Sequence, residues 1–283
     1  MLNPNPCTRV LVANSIPVTF EVNPLDTYVD IYTQAERDAI VSKYQTPNLF
    51  NGSCVRLDSL VNGHAVISPV CFYDFLCCNI VGIHNKDPLA WAKMSQVLEQ
   101  YRPINTFTSV LNIKELPNII GVSTLLHDID NNYLLVERNT QMSIGSGLFA
   151  CTSSGSLCVD DTVYNNPIVG CALRELKEEL GIQCQLAIEG ACIPIQKLQP
   201  IVLLTGVVNY PWRSLIPQLI RAQDFRKENT RLLVVPKDDL LSLISCYSFT
   251  DAAAFHVYFE AGGSTEKYEQ AAKRVVRLTD YIV

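Results

Sequence analysis

The sequence predicts an α/β (α+β) fold, with strands and helices interleaved along its 283 residues. Three observations predict it. Asn118–Leu126 and Tyr133–Glu137 are apolar runs of strand length flanking His127-Asp128-Ile129-Asp130-Asn131-Asn132, the pattern of a β-hairpin. Asn166–Ile182 (NPIVGCALRELKEELGI) places Val169, Leu173, Leu176 and Leu180 at helical spacing between start and stop signals. Apolar residues make up 48% and charged residues 18%, a globular composition with ample core material.

The elements follow in chain order. Val10–Val22 alternates and predicts one or two strands interrupted by Pro17. Tyr32–Tyr44 predicts a helix, with Thr33 as N-cap, Glu36 three residues later, and Ala39, Ile40 and Tyr44 as its apolar stripe. Two strands meet at Asn62-Gly63, a strong hairpin signal. Phe72–Val81 and Pro88–Tyr101 read as helices, the second with Trp91, Met94 and Leu98 on one face. Pro103–Asn105 is the expected boundary between an N-terminal α+β domain (1–105) and a second domain (106–283). Beyond the 118–137 hairpin, Met142–Cys158 is rich in Gly and Ser and reads as loop or broken strand. After Asn166–Ile182 come strands at Gln183–Ile188 and Ile201–Asn209, a helix near Ser214–Ala222, a strand at Arg231–Val235, a helix over Asp238–Ile244 and a last helix near Glu266–Leu278.

Charge and composition exclude several classes. The net charge is −6, from 22 Lys+Arg against 28 Asp+Glu, which argues against a nucleic-acid polymer as partner while leaving room for a local anion site. No apolar stretch reaches the ~20 residues of a membrane span; Pro200–Val208 soon meets Asn209 and Pro211, so no membrane partner is expected. The start, MLNPNPCTRV, has no basic-then-apolar pattern of a leader. Eleven cysteines are scattered without a CxxC pair, which predicts reduced, buried thiols and a cytoplasmic protein. His64, His84, His127 and His256 lie far apart and form no zinc pattern.

The chemistry concentrates in Asn166–Ile182. Asn166 suits an N-cap, Pro167 the first helical position and Gly181 the C-terminal cap. Glu175, Glu178 and Glu179 fall at i, i+3 and i+4, within one arc of about 100° and away from the leucine stripe. Carboxylates this close repel in water, and a divalent cation reverses the sign of that interaction. Clustered hard oxygen donors suit Mg²⁺ or Mn²⁺. The competing reading is a solvated acidic face balanced by Arg174 and Lys177.

The string Arg174-Glu175-Leu176-Lys177-Glu178-Glu179-Leu180-Gly181-Ile182 resembles the second half of the Nudix box, R-E-U-x-E-E-x-G-U, at every specified position. The first half departs from the pattern. Without a gap, Asp160 and Asn166 stand where the box glycine and first glutamate belong; with a five-residue insertion before Pro167, Gly155 and Asp161 take those places. The resemblance implies a Nudix-type α/β/α sandwich with a mixed sheet over roughly 115–283. It implies Mg²⁺ (or Mn²⁺) on Glu175, Glu178, Glu179 and the Ser154 carbonyl, and Arg174 orienting a carboxylate. Arg138, at the end of the second hairpin strand, is either a substrate or phosphate contact or a solvated charge; Gly155 and Asp161 complete the expected substrate-side set. The short runs NLFNGSCVRLDS (48–59) and FYDFLCCN (72–79) resemble the N-terminal extension of the Nudix branch that cleaves UDP-sugars, the alternative being plain core filling.

The implied activity is a metal-dependent pyrophosphohydrolase. Its substrate is a nucleoside diphosphate linked to another group, such as UDP-glucose or ADP-ribose, and a homodimer is compatible with it. Glu179 and Glu260 are the candidates for general base. His256, between Phe255 and Val257, reads as a core residue, and Asp238 and Asp239 as helix-start residues. The altered front half of the box motivates the alternative of an inactive nucleotide-binding module. An isoprenoid-diphosphate isomerase, with Cys151 or Cys158 in the loop, is disfavoured because its histidine set is missing.

Overall fold

The computed structural model describes residues 10–23, 27–44, 51–141, 145–274 and 276–283. Two strands, β1 (Val10–Val12) and β2 (Thr19–Val22), flank Pro17 and precede helix α1 (Gln34–Tyr44). The Thr33 and Glu36 side chains cap α1 reciprocally, as their spacing predicts. Strands β3 (Ser53–Val61) and β4 (His64–Cys71) turn at Asn62 and Gly63, whose φ values of 50° and 83° are those a tight hairpin needs. Helix α2 (Phe72–Phe75) widens into a π-helix over Leu76–Gly82, and α3 (Pro88–Gln100) starts where the Asp87 carboxylate accepts from the Leu89 and Ala90 N–H groups. Helix α4 (Phe107–Leu111) leads to the hairpin of β5 (Gly121–Asp128) and β6 (Asn132–Arg138).

The Gly- and Ser-rich stretch contains two short strands, β7 (Phe149–Ala150) and β8 (Ser153–Ser156); residues 142–144 of it lie outside the described residues. A 3-10 turn (Val159–Val163) precedes α5 (Pro167–Leu180). Then come β9 (Leu186–Pro194), β10 (Ile201–Val208), α6 (Trp212–Leu219), α7 (Phe225–Glu228), β11 (Asn229–Pro236), α8 (Leu240–Cys246), α9 (Asp251–Glu260) and α10 (Thr265–Ala271).

The main sheet runs β1-β9-β10-β5-β6-β11, with β7 added to β6 and β8 to β5. Strands β5 and β10 are parallel and the other pairs antiparallel, so the sheet is mixed. Successive residues of a strand face opposite ways, and the packing divides accordingly. Leu126, Leu134 and Leu232 pack with Leu176 and Leu180 of α5 and with Trp212, Leu219 and Phe225. Leu125, Leu135 and Leu233 pack with α8, α9 and Tyr268 of α10. The result is an α/β/α sandwich. A second sheet, β2-β4-β3, carries the N-terminal part. β1 joins the large sheet, and one apolar cluster draws residues from both sides of the Pro103–Asn105 junction, from Tyr32 to Leu204.

Several elements differ from the sequence expectation. β9 begins later than Gln183 and extends to Pro194, because pairing with β10 on one side and β1 on the other carries it past Ile188. The last helix stops at Ala271, short of Leu278. The chain instead returns to the edge of β11, where the Val234 N–H donates to the Tyr281 carbonyl at 2.9 Å and the Val283 N–H to Leu232 at 3.2 Å. Edge pairing satisfies backbone groups that a frayed helix end leaves to water. Helices α4, α7 and α9 have no counterpart among the expected elements. α9 has buried residues on several sides (Ala253, Phe255, His256, Val257, Tyr258), so it lacks the one-sided stripe that marks a helix in sequence.

Arg56, 2% exposed, fastens the N-terminal sheet to the segment that feeds β5. Its guanidinium pairs with Asp58, and donates to Thr27 Oγ1 at 2.8 Å and to the Leu116 carbonyl at 3.2 Å. Truncating it strands a mostly buried carboxylate and two acceptors. Arg56→Ala is therefore expected to lower stability by about 3–5 kcal/mol, read from the urea midpoint at unchanged slope; a loss below about 1 kcal/mol contradicts this role.

Candidate active site

Helix α5 forms as its caps predict. Asn166 Oδ1 accepts from the Ile168 and Val169 N–H groups at 3.1 and 3.2 Å, and Gly181 closes the helix in the left-handed region at φ 68°. The buried arc differs from the leucine stripe. Ile168, Cys171, Ala172, Leu176, Glu179 and Leu180 are buried, whereas Leu173 is half-buried. The helix is gripped from two directions: Ile168, Cys171 and Ala172 face the N-terminal core, and Leu176 and Leu180 face the sheet.

Arg174 organises the acidic side of α5. Its Nε and Nη2 each lie 3.0 Å from an oxygen of Asp161, and its Nη1 donates to Glu175 at 2.8 Å and to Glu178 at 3.2 Å. Burial opposes the arginine's charge, but Asp161 and Glu175 outweigh that and push its pKa up. Asp161, expected on the substrate side, is instead 1% exposed and turned toward Arg174; its other contact is the Cys158 N–H at 2.9 Å. It positions the arginine. The gapped reading of the box is thus the one in which the carboxylate has a partner.

The three glutamates do not all face solvent, contrary to the helical-wheel expectation. Glu178 is 40% exposed, Glu175 is 13% exposed and Glu179 is buried. Glu179 Oε1 accepts from Ser153 Oγ and the Ser154 N–H, both at a long 3.3 Å. Burial raises the Glu175 carboxyl to about 7, and burial followed by the charges of Glu228 and Glu175 pushes Glu179 up as well. Glu228, the last residue of α7, is raised by burial and by Asp224 and Glu178, with Arg138 opposing. Glu228 carries no local sequence signal, since it lies about fifty positions from α5; a backbone bond from Asp224 N–H to the Glu178 carbonyl, 3.0 Å, brings α7 alongside.

β8 lies over this acidic face. A Cβ on Gly155 would overlap the Glu175 side chain, so any larger residue there must push that carboxylate aside. Arg138 Nη1 donates to Ser154 Oγ at 3.0 Å, and its Nη2 lies 3.9 Å from Glu228. Arg138, Ser154, Gly155, Lys197, Gln199 and Thr250 line a cleft of about 140 Å³. Lys197, which sequence reading passed over, has its ammonium brought down to about 8 by burial and by Arg138. Two larger hollows, about 490 and 520 Å³, hold no carboxylate, lysine or arginine, so size alone does not select the site.

The remaining candidates lie elsewhere. Glu260 accepts from Tyr133 Oη at 2.6 Å and pairs with Lys237 at 3.2 Å, eight residues past Ala252 and about 12 Å along α9 from the cleft. His256 is fully buried and its pKa falls to about 3 through burial, which fits the core reading. The Cys151 thiol is buried and raised to about 12, the opposite of an activated thiol. Asp239 pairs with Arg274 at 2.8 Å at the start of α8, and Asp238 sits in the same 3-10 turn.

The donor chemistry of Glu175, Glu178, Glu179 and Glu228 suits a hard divalent cation: four carboxylates share one region, and those of Glu175, Glu179 and Glu228 are desolvated. Among the described residues, no three acidic, cysteine or histidine side chains converge at ligand spacing. No helix of the described residues is long and apolar enough to cross a membrane.

No family model and no curated protein matches the chain. It is similar to solved structures of low identity. DR0079 from Deinococcus radiodurans is 12% identical at a TM-score of 0.38, covering 49% of this chain and 80% of that one. The MutT protein from Methanosarcina mazei Go1 is 15% identical at 0.35, covering 55% and 93%. The NUDIX domain of Shewanella oneidensis NrtR, complexed with ADP ribose, is 15% identical at 0.33, covering 62% and 96%.

Two outcomes follow from the packing. Gly155→Ala is expected to cost about 1–3 kcal/mol by forcing Glu175 aside, and to cost little when added to Glu175→Ala; equal costs in both backgrounds, measured by denaturant titration, contradict the contact. The neutral burial of His256 makes stability pH-dependent. The unfolded imidazole takes a proton below about 6.5 while the folded one does not, so stability falls with pH from about 6.5 towards 3, by up to about 1.4 kcal/mol per unit from this group. His256→Gln should make that slope shallower by about one proton, and an unchanged slope contradicts it.

Proposed function

We propose that this chain is a divalent-cation-dependent pyrophosphohydrolase of the Nudix superfamily. Its substrate on this reading is a nucleoside diphosphate joined to a second group. One observation carries the reading: desolvated carboxylates from α5 and α7 stand beside a cleft lined by Arg138 and Lys197. A diphosphate together with a cation would suit both halves: the arginine and lysine would take its negative oxygens, and the glutamates would hold the cation.

Glu175, Glu178 and Glu179, with the Ser154 carbonyl and Glu228, are the groups that would hold Mg²⁺ or Mn²⁺. When bound, the cation supplies charge stabilisation at the phosphoryl oxygens and lowers the pKa of a coordinated water. The chain's own residues supply the rest. Arg174 fixes the side chains of Glu175 and Glu178 through one nitrogen while Asp161 fixes Arg174, which orients the acidic face before substrate arrives. Arg138, held by Ser154, presents a cation to a phosphoryl oxygen. Lys197, which lines the same cleft, adds a second cation. Glu179, whose carboxylate is held by Ser153 Oγ and the Ser154 N–H beside the cleft, is the candidate to take the proton of an attacking water. Glu260 is not in reach of that task.

A second reading, a nucleotide-binding module without turnover, is favoured by one observation: Arg174 Nη1 holds Glu175 and Glu178 together, and the described side chains do not close on one point. The two readings separate on incubation with UDP-glucose, ADP-ribose and a dinucleoside polyphosphate, with Mg²⁺ or Mn²⁺ and then with EDTA. Monophosphate release that EDTA abolishes is expected. Glu179→Gln and Glu228→Gln should lower kcat at least about a hundredfold while circular dichroism and Tm stay near wild type, since the amide keeps the size of the carboxylate and removes only its charge. Near-normal rates in both variants, or binding without release across the panel, overturn the enzymatic reading.

A further inference from the structure

Two thiols lie against Arg174, and a third faces one of them. Its Nη2 lies 3.8 Å from Cys158 Sγ and 3.5 Å from Cys171 Sγ, and Cys54 faces Cys158 across an isolated antiparallel bridge between β3 and the turn before α5. The flanking backbone bond, from the Val55 N–H to the Leu157 carbonyl at 2.9 Å, lies one residue outside the Cys54–Cys158 pair. That makes the two cysteines a non-hydrogen-bonded pair, the kind in which opposing Cα atoms are only ~4.5 Å apart and side chains are closest. This separation lies within the range a disulfide spans without moving the backbone. Cys54 is buried and Cys158 half-buried, so one sulfur is open to a small oxidant and the other waits behind it.

We propose that Cys54 and Cys158 form a peroxide-sensitive dithiol whose disulfide fastens β3 to the turn that carries Asp161. The electronic setting agrees with the geometry. Contact with Cys54 and the charge of Arg174 lower the Cys158 thiol against burial. Cys158, half-buried and 3.8 Å from Arg174 Nη2, is the attacking sulfur, and the buried Cys54 is the resolving one. The Cys158 thiolate attacks one oxygen of hydrogen peroxide; the O–O bond breaks, hydroxide leaves and takes up a proton, and the sulfur becomes a sulfenic acid. The Cys54 sulfur then attacks it, the S–O bond breaks, and the thiol proton of Cys54 leaves with the hydroxyl as water. Two thiols are oxidised and one peroxide is reduced to two waters.

The disulfide acts where the acidic face is anchored. Cys158 donates its N–H to Asp161, and Asp161 holds Arg174. Oxidation removes a thiolate from beside Arg174 and ties the turn to the N-terminal sheet. The dithiol does not depend on any catalytic reading of the glutamates.

The full chain, reduced and desalted, is treated with one equivalent of hydrogen peroxide at pH 7, alkylated, digested and mapped by mass spectrometry. The expected product is 2 Da lighter and yields a Cys54–Cys158 cross-linked peptide. Before oxidation, Cys158 should alkylate about tenfold faster than Cys184, whose thiol burial raises to about 11. In Cys54→Ser, peroxide should leave a sulfenic acid on Cys158 that a cyclic 1,3-dione traps. In Cys158→Ser, peroxide consumption should fall about tenfold. Cross-linking of Cys158 to Cys171, or oxidation of exposed Cys71 and Cys246 while Cys54 and Cys158 still alkylate, overturns the proposal. The wild-type cross-link map decides the matter even if a serine variant fails to fold.

Discussion

The site depends on one guanidinium. Arg174 reaches back from α5 to Asp161 in the preceding turn and forward to Glu175 and Glu178 on its own helix. A planar fork can do this because its nitrogens point in fixed directions; an ammonium, a compact charge on a flexible stem, lacks the paired parallel donors that grip Asp161. The arginine therefore couples loop to helix. It also sets a limit, because every carboxylate it holds is one it partly neutralises.

The remaining negative charge explains the geometry around it. Glu179 is buried with only two long hydrogen bonds, and Glu228 arrives on α7 to face the same region. A fold keeps an acidic group under such conditions at a cost in stability, since desolvation and like charges both favour its protonated form. Arg138 offsets some of that cost from the end of β6, and a divalent cation would offset more. The sandwich supplies the rigid frame: β8 hydrogen-bonds to β5 and presses Gly155 onto Glu175, while the opposite face of the sheet rests on α8 and α9.

What was legible in the sequence was local. The caps of α1 and α5, the Asn62-Gly63 turn and the 128–132 hairpin connection follow from residues within a few positions of one another, and the structure has them. The spacing of Arg174, Glu175 and Glu178 likewise predicts that they share one side of α5, and there Arg174 Nη1 donates to both glutamates. Helical spacing does not reveal how many sides of a helix are covered. α5 is gripped by two cores, so a glutamate expected in water lies beneath β8. Contacts distant in sequence were also hidden. Glu228 reaches the site through α7, Lys197 through the loop between β9 and β10, and Cys54 through β3. The last turn of the expected C-terminal helix gave way to strand-edge pairing for the same reason: a partner far along the chain offered better hydrogen bonds than the next residue did.

The central claim is that the acidic side of α5 takes a divalent cation. Crystals grown with Mn²⁺, with diffraction recorded above and below the manganese absorption edge, test it most directly. An anomalous peak among Glu175, Glu178, Glu179 and Glu228 next to Ser154, lost in Glu179→Gln, is the predicted result. No peak there at millimolar Mn²⁺, with the Glu175 and Glu178 carboxylates still closed on Arg174, would contradict it.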